Sequence, residues 1–132
     1  MTPPRRRRIK RIEDGLQAAI CRYLAHALPL TAWYCSIPNG AVLAGDKEQR
    51  ARQMHRMKAM GLRVGAPDIF IVWQGKFIGL EVKTATGQLE KSQRDASDAI
   101  TLAGGLWSVV RSIDEVEAFL SMLGMPLKAR AQ

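Results

Sequence analysis

Two apolar runs, "IFIVW" at Ile69–Trp73 and "FIGLEV" at Phe77–Val82, flank a Gln74-Gly75-Lys76 break, and this stretch constrains the fold more than any other. Short runs rich in β-branched and aromatic residues, broken by a glycine-containing turn, build an antiparallel hairpin. With Gln74 and Gly75 as the turn, Trp73 faces Lys76, and each step outward keeps the pair sum constant, so Asp68 falls opposite Glu81. Alternation along the strands puts Lys83 on the face of these two carboxylates and sends Ile69, Ile71, Ile78, Leu80 and Val82 to the other.

Two carboxylates directly across a strand pair repel, so the placement is unfavourable unless a cation lies between them. Hard oxygen donors favour Mg²⁺ or Mn²⁺, which keep positions for water and for a phosphate oxygen, so the pattern suits phosphoryl chemistry. The competing reading makes Pro67-Asp68 a plain turn into a strand and Glu81-Val82-Lys83 an alternating strand end whose charges reach solvent.

Around the hairpin, Ile12, Leu16, Ala19, Ile20, Tyr23, Leu24, Ala27 and Leu28 recur with helical spacing up to Pro29. "TAWYCSI" has strand bias and "PNG" a turn; "DKEQRARQMHRMKAM" reads as a second helix closed by Gly61. "EKSQRDASDAITLA" is a third helix and "LWSVV" a further strand, and a Ser112/Glu115 capping box opens a last helix over "IDEVEAFLSML". The resulting order, helix-strand-helix-strand-strand-helix-strand-helix, predicts an α/β fold with a mixed central sheet flanked by helices. Trp33, Trp73 and Trp107 lie in or beside strands and are expected to pack in the core rather than stack on bases.

The chain has 132 residues, with 20 Lys and Arg against 12 Asp and Glu, a net charge of +8. Arg5, Arg6, Arg7, Arg8, Lys10 and Arg11 precede the first acid, Glu13, leaving 14 cations against 12 acids in the rest. Residues 1–11 are therefore expected to form a disordered basic arm, either phosphate-binding or merely solvated, before a domain over 12–124 and a tail over 125–132. Between the turn and the hairpin, Arg50, Arg52, Arg56 and Lys58 either track a phosphate backbone or form a solvated helix face. No apolar run is long enough to span a bilayer and no secretory signal is evident, so an intracellular, cytoplasmic protein without a membrane partner is expected. Cys21 and Cys35 lack metal-like spacing with His26 or His55, and both read as reduced, packed thiols.

"PD" at Pro67-Asp68 followed by "EVK" at Glu81–Lys83 resembles the PD-(D/E)xK nuclease signature. Glu13 and Gln17 in the first helix, "IPNG" at Ile37–Gly40, "GLRVGAPDIF" and "TGQLEKSQ" narrow the resemblance to the virus-type replication-repair nuclease (VRR-NUC) family, over most of Glu13 to Ser112. The resemblance implies a restriction-endonuclease-like core with Glu13, Asp68, Glu81 and the backbone carbonyl of Val82 as metal ligands. It further implies that Lys83 positions the attacking water, that Gln93 completes the site and that the loop of Asn39 lies near the substrate. With Arg5–Arg8, Asn39, Arg50, Arg52, Arg56 and Lys58 as candidate DNA contacts, the expected protein is a Mg²⁺- or Mn²⁺-dependent, structure-selective DNA endonuclease with no small-molecule cofactor. Branched DNA such as four-way (Holliday) junctions, a 5′-phosphate product and a homodimer are the corresponding expectations. A nonspecific or restriction-like nuclease and a non-catalytic DNA-binding protein of this fold are the alternatives.

Overall fold

The hairpin forms in the expected register: Trp73 pairs with Lys76, Ile71 with Ile78 and Ile69 with Leu80. Gln74 and Gly75 both have positive φ, 51° and 74°, as in the type I′ turn whose twist matches the flanking strands. The computed structural model describes residues 5–38 and 43–128. In chain order these form α1 (Arg5–Ala27), β1 (Ala32–Ser36), α2 (Lys47–Ala59), β2 (Ile69–Trp73), β3 (Lys76–Val82), α3 (Lys91–Leu102), β4 (Leu106–Val110) and α4 (Ile113–Met122). The strands make one four-stranded sheet in the order β1-β2-β3-β4. Its first two pairings are antiparallel, while β3 and β4, joined through α3, run parallel.

The two faces of the sheet are chemically different. Ile69, Ile71, Ile78 and Leu80 are fully buried together with Ile20 and Leu24 of α1, Val110 of β4 and Val116 and Leu120 of α4. Each such aliphatic side chain contributes about 1.5–3 kcal/mol, and this layer fixes α1 and α4 against one face. The opposite face carries Gly79, Glu81 and Trp107, and α3 crosses it at the β3–β4 end. That face is open toward the β1 edge, where Trp33 is 61% exposed, contrary to the core packing expected for it; its ring tilts against Phe70 with centroids 5.8 Å apart. Trp73 lies in the core as expected.

Helix ends follow local chemistry. Asp46 and Gln49 exchange side-chain-to-backbone bonds of 2.8 Å at the start of α2, a reciprocal cap. At α4 the expected box is half made: Ser112 accepts from the Glu115 N–H at 3.1 Å, but Glu115 reaches the Arg111 N–H instead of that of Ser112.

Both expected domain boundaries move outward. Arg5–Arg11 are the opening turns of α1 rather than a disordered arm; Arg and Lys are good helix formers, no breaker stands between Arg5 and Lys10, and Lys10 lies 3.8 Å from Asp14. At the other end, Met125 is buried in the core, and the Lys128 N–H donates to the Ala27 carbonyl at 2.7 Å, so packing continues past residue 124. Residues 1–4 and 129–132, at the extremes of the two expected tails, lie outside the described residues. Among the described residues no helix is long and apolar enough to cross a membrane.

Candidate active site

Asp68 immediately precedes β2, and its two ends tie three strands together. Its carbonyl accepts from the Ile37 N–H beyond β1 at 2.8 Å, and its Oδ2 accepts from the Val82 N–H of β3, also at 2.8 Å. Extending the hairpin register past Ile69–Leu80 puts Pro67 opposite Val82. Proline has no N–H, so the ladder bond that the Val82 carbonyl would accept from that position is not made. Proline therefore ends the ladder beside the carboxylate. Gly79, two residues before Glu81 on the same face, leaves room for this turn: a Cβ there would lie 2.7 Å from Pro67 Cγ.

Glu81 is 2% exposed. Its Oε1 accepts a 2.9 Å hydrogen bond from Gln93 Nε2, while its Oε2 is buried beside the Asp68 carboxylate with no donor to accept from. Burial first, and then the negative charge of Asp68, push its carboxyl up to about 9. The positive charge of Lys83, itself buried, pulls the other way without offsetting these effects. Lys83 alone does not compensate an ionised carboxylate in this position.

Gln93 is placed by the first turn of α3. Its Oε1 accepts from the Glu90 N–H at 2.9 Å, which leaves its amide nitrogen to face Glu81. Gly65 brings the preceding loop against this turn at φ 88°, where a Cβ would collide with the Ser92 carbonyl. Glu13 reaches the end of β3 from α1, within electrostatic reach of Lys83, Asp68 and the Thr84 backbone. Burial holds its carboxyl above the usual range; Lys83 lowers it, Asp68 raises it, and the Thr84 backbone lowers it.

The fold thus gathers Asp68, Glu81, Lys83 and Gln93 at one strand end, with Glu13 alongside in electrostatic reach. Among the described residues, however, no three His, Cys, Asp or Glu side chains form a group spaced to hold a metal ion. The expected three-carboxylate ligand set of Glu13, Asp68 and Glu81 is thus not assembled as a cage. What is present fits a hard divalent cation on other grounds: all donors are oxygen, one buried carboxylate oxygen has no donor to accept from, and two carboxylates repel across the hairpin. Mg²⁺ commonly binds through one or two carboxylates and keeps several waters.

The candidate DNA contacts separate into two groups. Arg5, Arg6, Arg7 and Lys10 wall a cleft of about 620 Å³ whose other side is Glu13, Lys83 and the loop from Thr86 to Gln88; Arg8 is exposed nearby on the same helix. Arg52 and Arg56 line a separate hollow along α2, and Arg50 and Lys58 are exposed, so none of the α2 cations walls the cleft that Glu13 and Lys83 enter. Asn39 lies outside the described residues. Cys21 and Cys35 are unbridged and half-buried. Sequence reasoning missed Arg111, whose guanidinium bonds to the loop after β3; no spacing or motif marks it.

No family model matches the chain, and no curated protein matches it in sequence. In structure the chain is similar to a solved VRR_NUC domain protein, with a TM-score of 0.62 over 83% of this chain and 85% of that one. At 16% identity this likeness is one of fold: the chain's four-stranded mixed sheet flanked by helices has the α/β fold of that VRR_NUC domain.

Proposed function

We propose that this chain, built on the fold of a VRR_NUC domain, is a Mg²⁺- or Mn²⁺-dependent DNA endonuclease. The observation that carries this reading is the buried Glu81 carboxyl, one oxygen of which no donor reaches, set across the hairpin from Asp68 with Lys83 on the same face. Asp68, Glu81 and the Val82 carbonyl would hold the cation, with Glu13 at its edge. When bound, the cation supplies charge stabilisation at the phosphoryl oxygens and activation of water.

The chain's own groups account for the remaining work. Lys83 provides a hydrogen-bond donor and a positive charge where the attacking water and the phosphate meet. Gln93 fixes the orientation of Glu81 through its 2.9 Å bond. Arg5, Arg6, Arg7 and Lys10 receive the phosphates flanking the scissile one, since they wall the cleft that Lys83 and Glu13 enter. In-line hydrolysis needs little more than this positioning and charge.

The finer reading is structure selectivity. Resolving a four-way junction requires two symmetry-related incisions, and a two-fold homodimer supplies two such sites. A panel of linear, flap and four-way DNAs, incubated with Mg²⁺ or Mn²⁺, tests this. Paired incisions in the four-way DNA by a protein of twice the chain mass in light scattering are expected. Equal cutting of every substrate by a monomer would leave a nonspecific nuclease, and retardation without cutting would leave a DNA-binding protein.

A further inference from the structure

The loop between β3 and α3 delivers part of the candidate site. Lys83 opens it, and Thr86, Gly87 and Gln88 wall the cleft that Lys83 and Glu13 enter. A loop of small residues, Thr84-Ala85-Thr86-Gly87, has little apolar surface of its own to fix it. It is instead clasped from the end of β4. The Val110 carbonyl accepts from the Lys83 N–H at 3.1 Å. The next residue, Arg111, bends its guanidinium under the loop, and its Nη1 donates to the Thr84 carbonyl at 2.6 Å and to the Gly87 carbonyl at 2.8 Å. The Gly87 N–H closes the turn on the Thr84 carbonyl at 3.1 Å. Charge-assisted bonds of this kind are about twice as strong as neutral ones.

Resting on the nuclease reading, we propose that Arg111 is a positioning residue. By holding the carbonyls of Thr84 and Gly87 on one guanidinium nitrogen, it fixes the turn that presents Lys83. It touches neither carboxylate, and its effect passes through the backbone of the loop. Because a single nitrogen makes both bonds, the chemistry needs a cationic donor at that point rather than a bidentate fork. Lysine, with three donors on a slightly shorter stem, meets the requirement, and methionine does not.

The test compares wild type, Arg111→Met and Arg111→Lys by amide hydrogen exchange and by cleavage kinetics with Mn²⁺. In Arg111→Met the Gly87 amide is expected to exchange at least about tenfold faster, the loss of one charge-assisted bond, while the Leu80 amide in the hairpin keeps its rate. kcat should fall at least about tenfold with KM little changed, as for loss of an interaction made in the transition state, and Arg111→Lys should recover most of both. Unchanged exchange at Gly87 in Arg111→Met would overturn the clasp. Faster exchange with unchanged kcat would reduce Arg111 to a structural residue and overturn the positioning role. A wild-type protein that cuts no DNA would overturn the nuclease reading and the positioning role with it, while the exchange data alone decided whether the clasp exists.

Discussion

Gln93 donates from Nε2 to Glu81 Oε1 at 2.9 Å while its own Oε1 accepts from the Glu90 N–H at 2.9 Å. One side chain therefore caps α3 and orients the buried carboxylate, and its amide can point only one way. Gln93→Ala should lower activity by about 10- to 100-fold, the usual effect of removing a group that orients a metal-binding side chain, and should raise the Mn²⁺ concentration giving half-maximal rate. Gln93→Glu preserves the acceptor for the helix cap but sets a third carboxylate against Glu81 and should be no better than alanine. Metal titrations of the cleavage rate for both variants check this.

The raised Glu81 carboxyl makes metal-free stability depend on pH with a definite sign. Its value in the fold is about 9 against an ordinary 4.5, so between these limits the folded state holds a proton that the unfolded state has lost. Stability then falls as pH rises through that window. In EDTA the protein should melt at a lower temperature at pH 8 than at pH 5.5, and Glu81→Gln should flatten the slope. The same variant should be more stable than wild type at pH 8 in EDTA, because the amide has no proton to take up on folding, while losing cleavage. Thermal melts at the two pH values measure both effects.

Divalent cation should reverse this pH trend. Binding to the folded carboxylates stabilises by mass action, and protons compete for the same oxygens. Mn²⁺ should therefore raise the melting temperature more at pH 8 than at pH 5.5, and Asp68→Asn should abolish the increment. An equal rise in wild type and Asp68→Asn would place the ion elsewhere.

The cations of α1 and α2 should behave differently on DNA. Arg5, Arg6, Arg7 and Lys10 wall the cleft beside Lys83, whereas Arg52 and Arg56 do not. Each α1 cation changed to alanine should reduce the slope of log affinity against log salt by about 0.9 if it contacts a phosphate. Paired substitution of Arg52 and Arg56 should leave cleavage of a short duplex unchanged. Binding isotherms across a salt series separate the two groups.

What the sequence made legible was whatever short-range geometry determines. A two-residue turn sets the pair sum of the hairpin and the pleat sets its faces, so the juxtaposition of Asp68 and Glu81 followed from Gln74 and Gly75 alone. The order of all eight elements was equally readable, because each carries its own periodicity and punctuation. Features that depend on tertiary packing were not. Nothing near Glu13 in the chain says that it will come within electrostatic reach of Asp68 and Lys83, and nothing near Arg111 says that it reaches Thr84 and Gly87, because those relationships exist only once α1 and β4 have docked on β3. The opening turns of α1 were missed for a different reason: a cationic run lacks an apolar stripe, yet helix propensity and the ion pair with Asp14 extend the helix through it.

The central claim, that Asp68 and Glu81 form a metal-dependent nuclease site, is tested most directly by nicking of supercoiled plasmid. Wild-type protein, Asp68→Asn and Glu81→Gln would be compared side by side with Mn²⁺ and with EDTA. Wild type should convert the plasmid to open circles with Mn²⁺ and leave it intact in EDTA, and either variant should be slower by at least about 10²-fold, the scale of losing a group that stabilises transition-state charge. Near-wild-type nicking by folded Asp68→Asn or Glu81→Gln, or wild-type protein that retards the plasmid without cutting it, would contradict the claim.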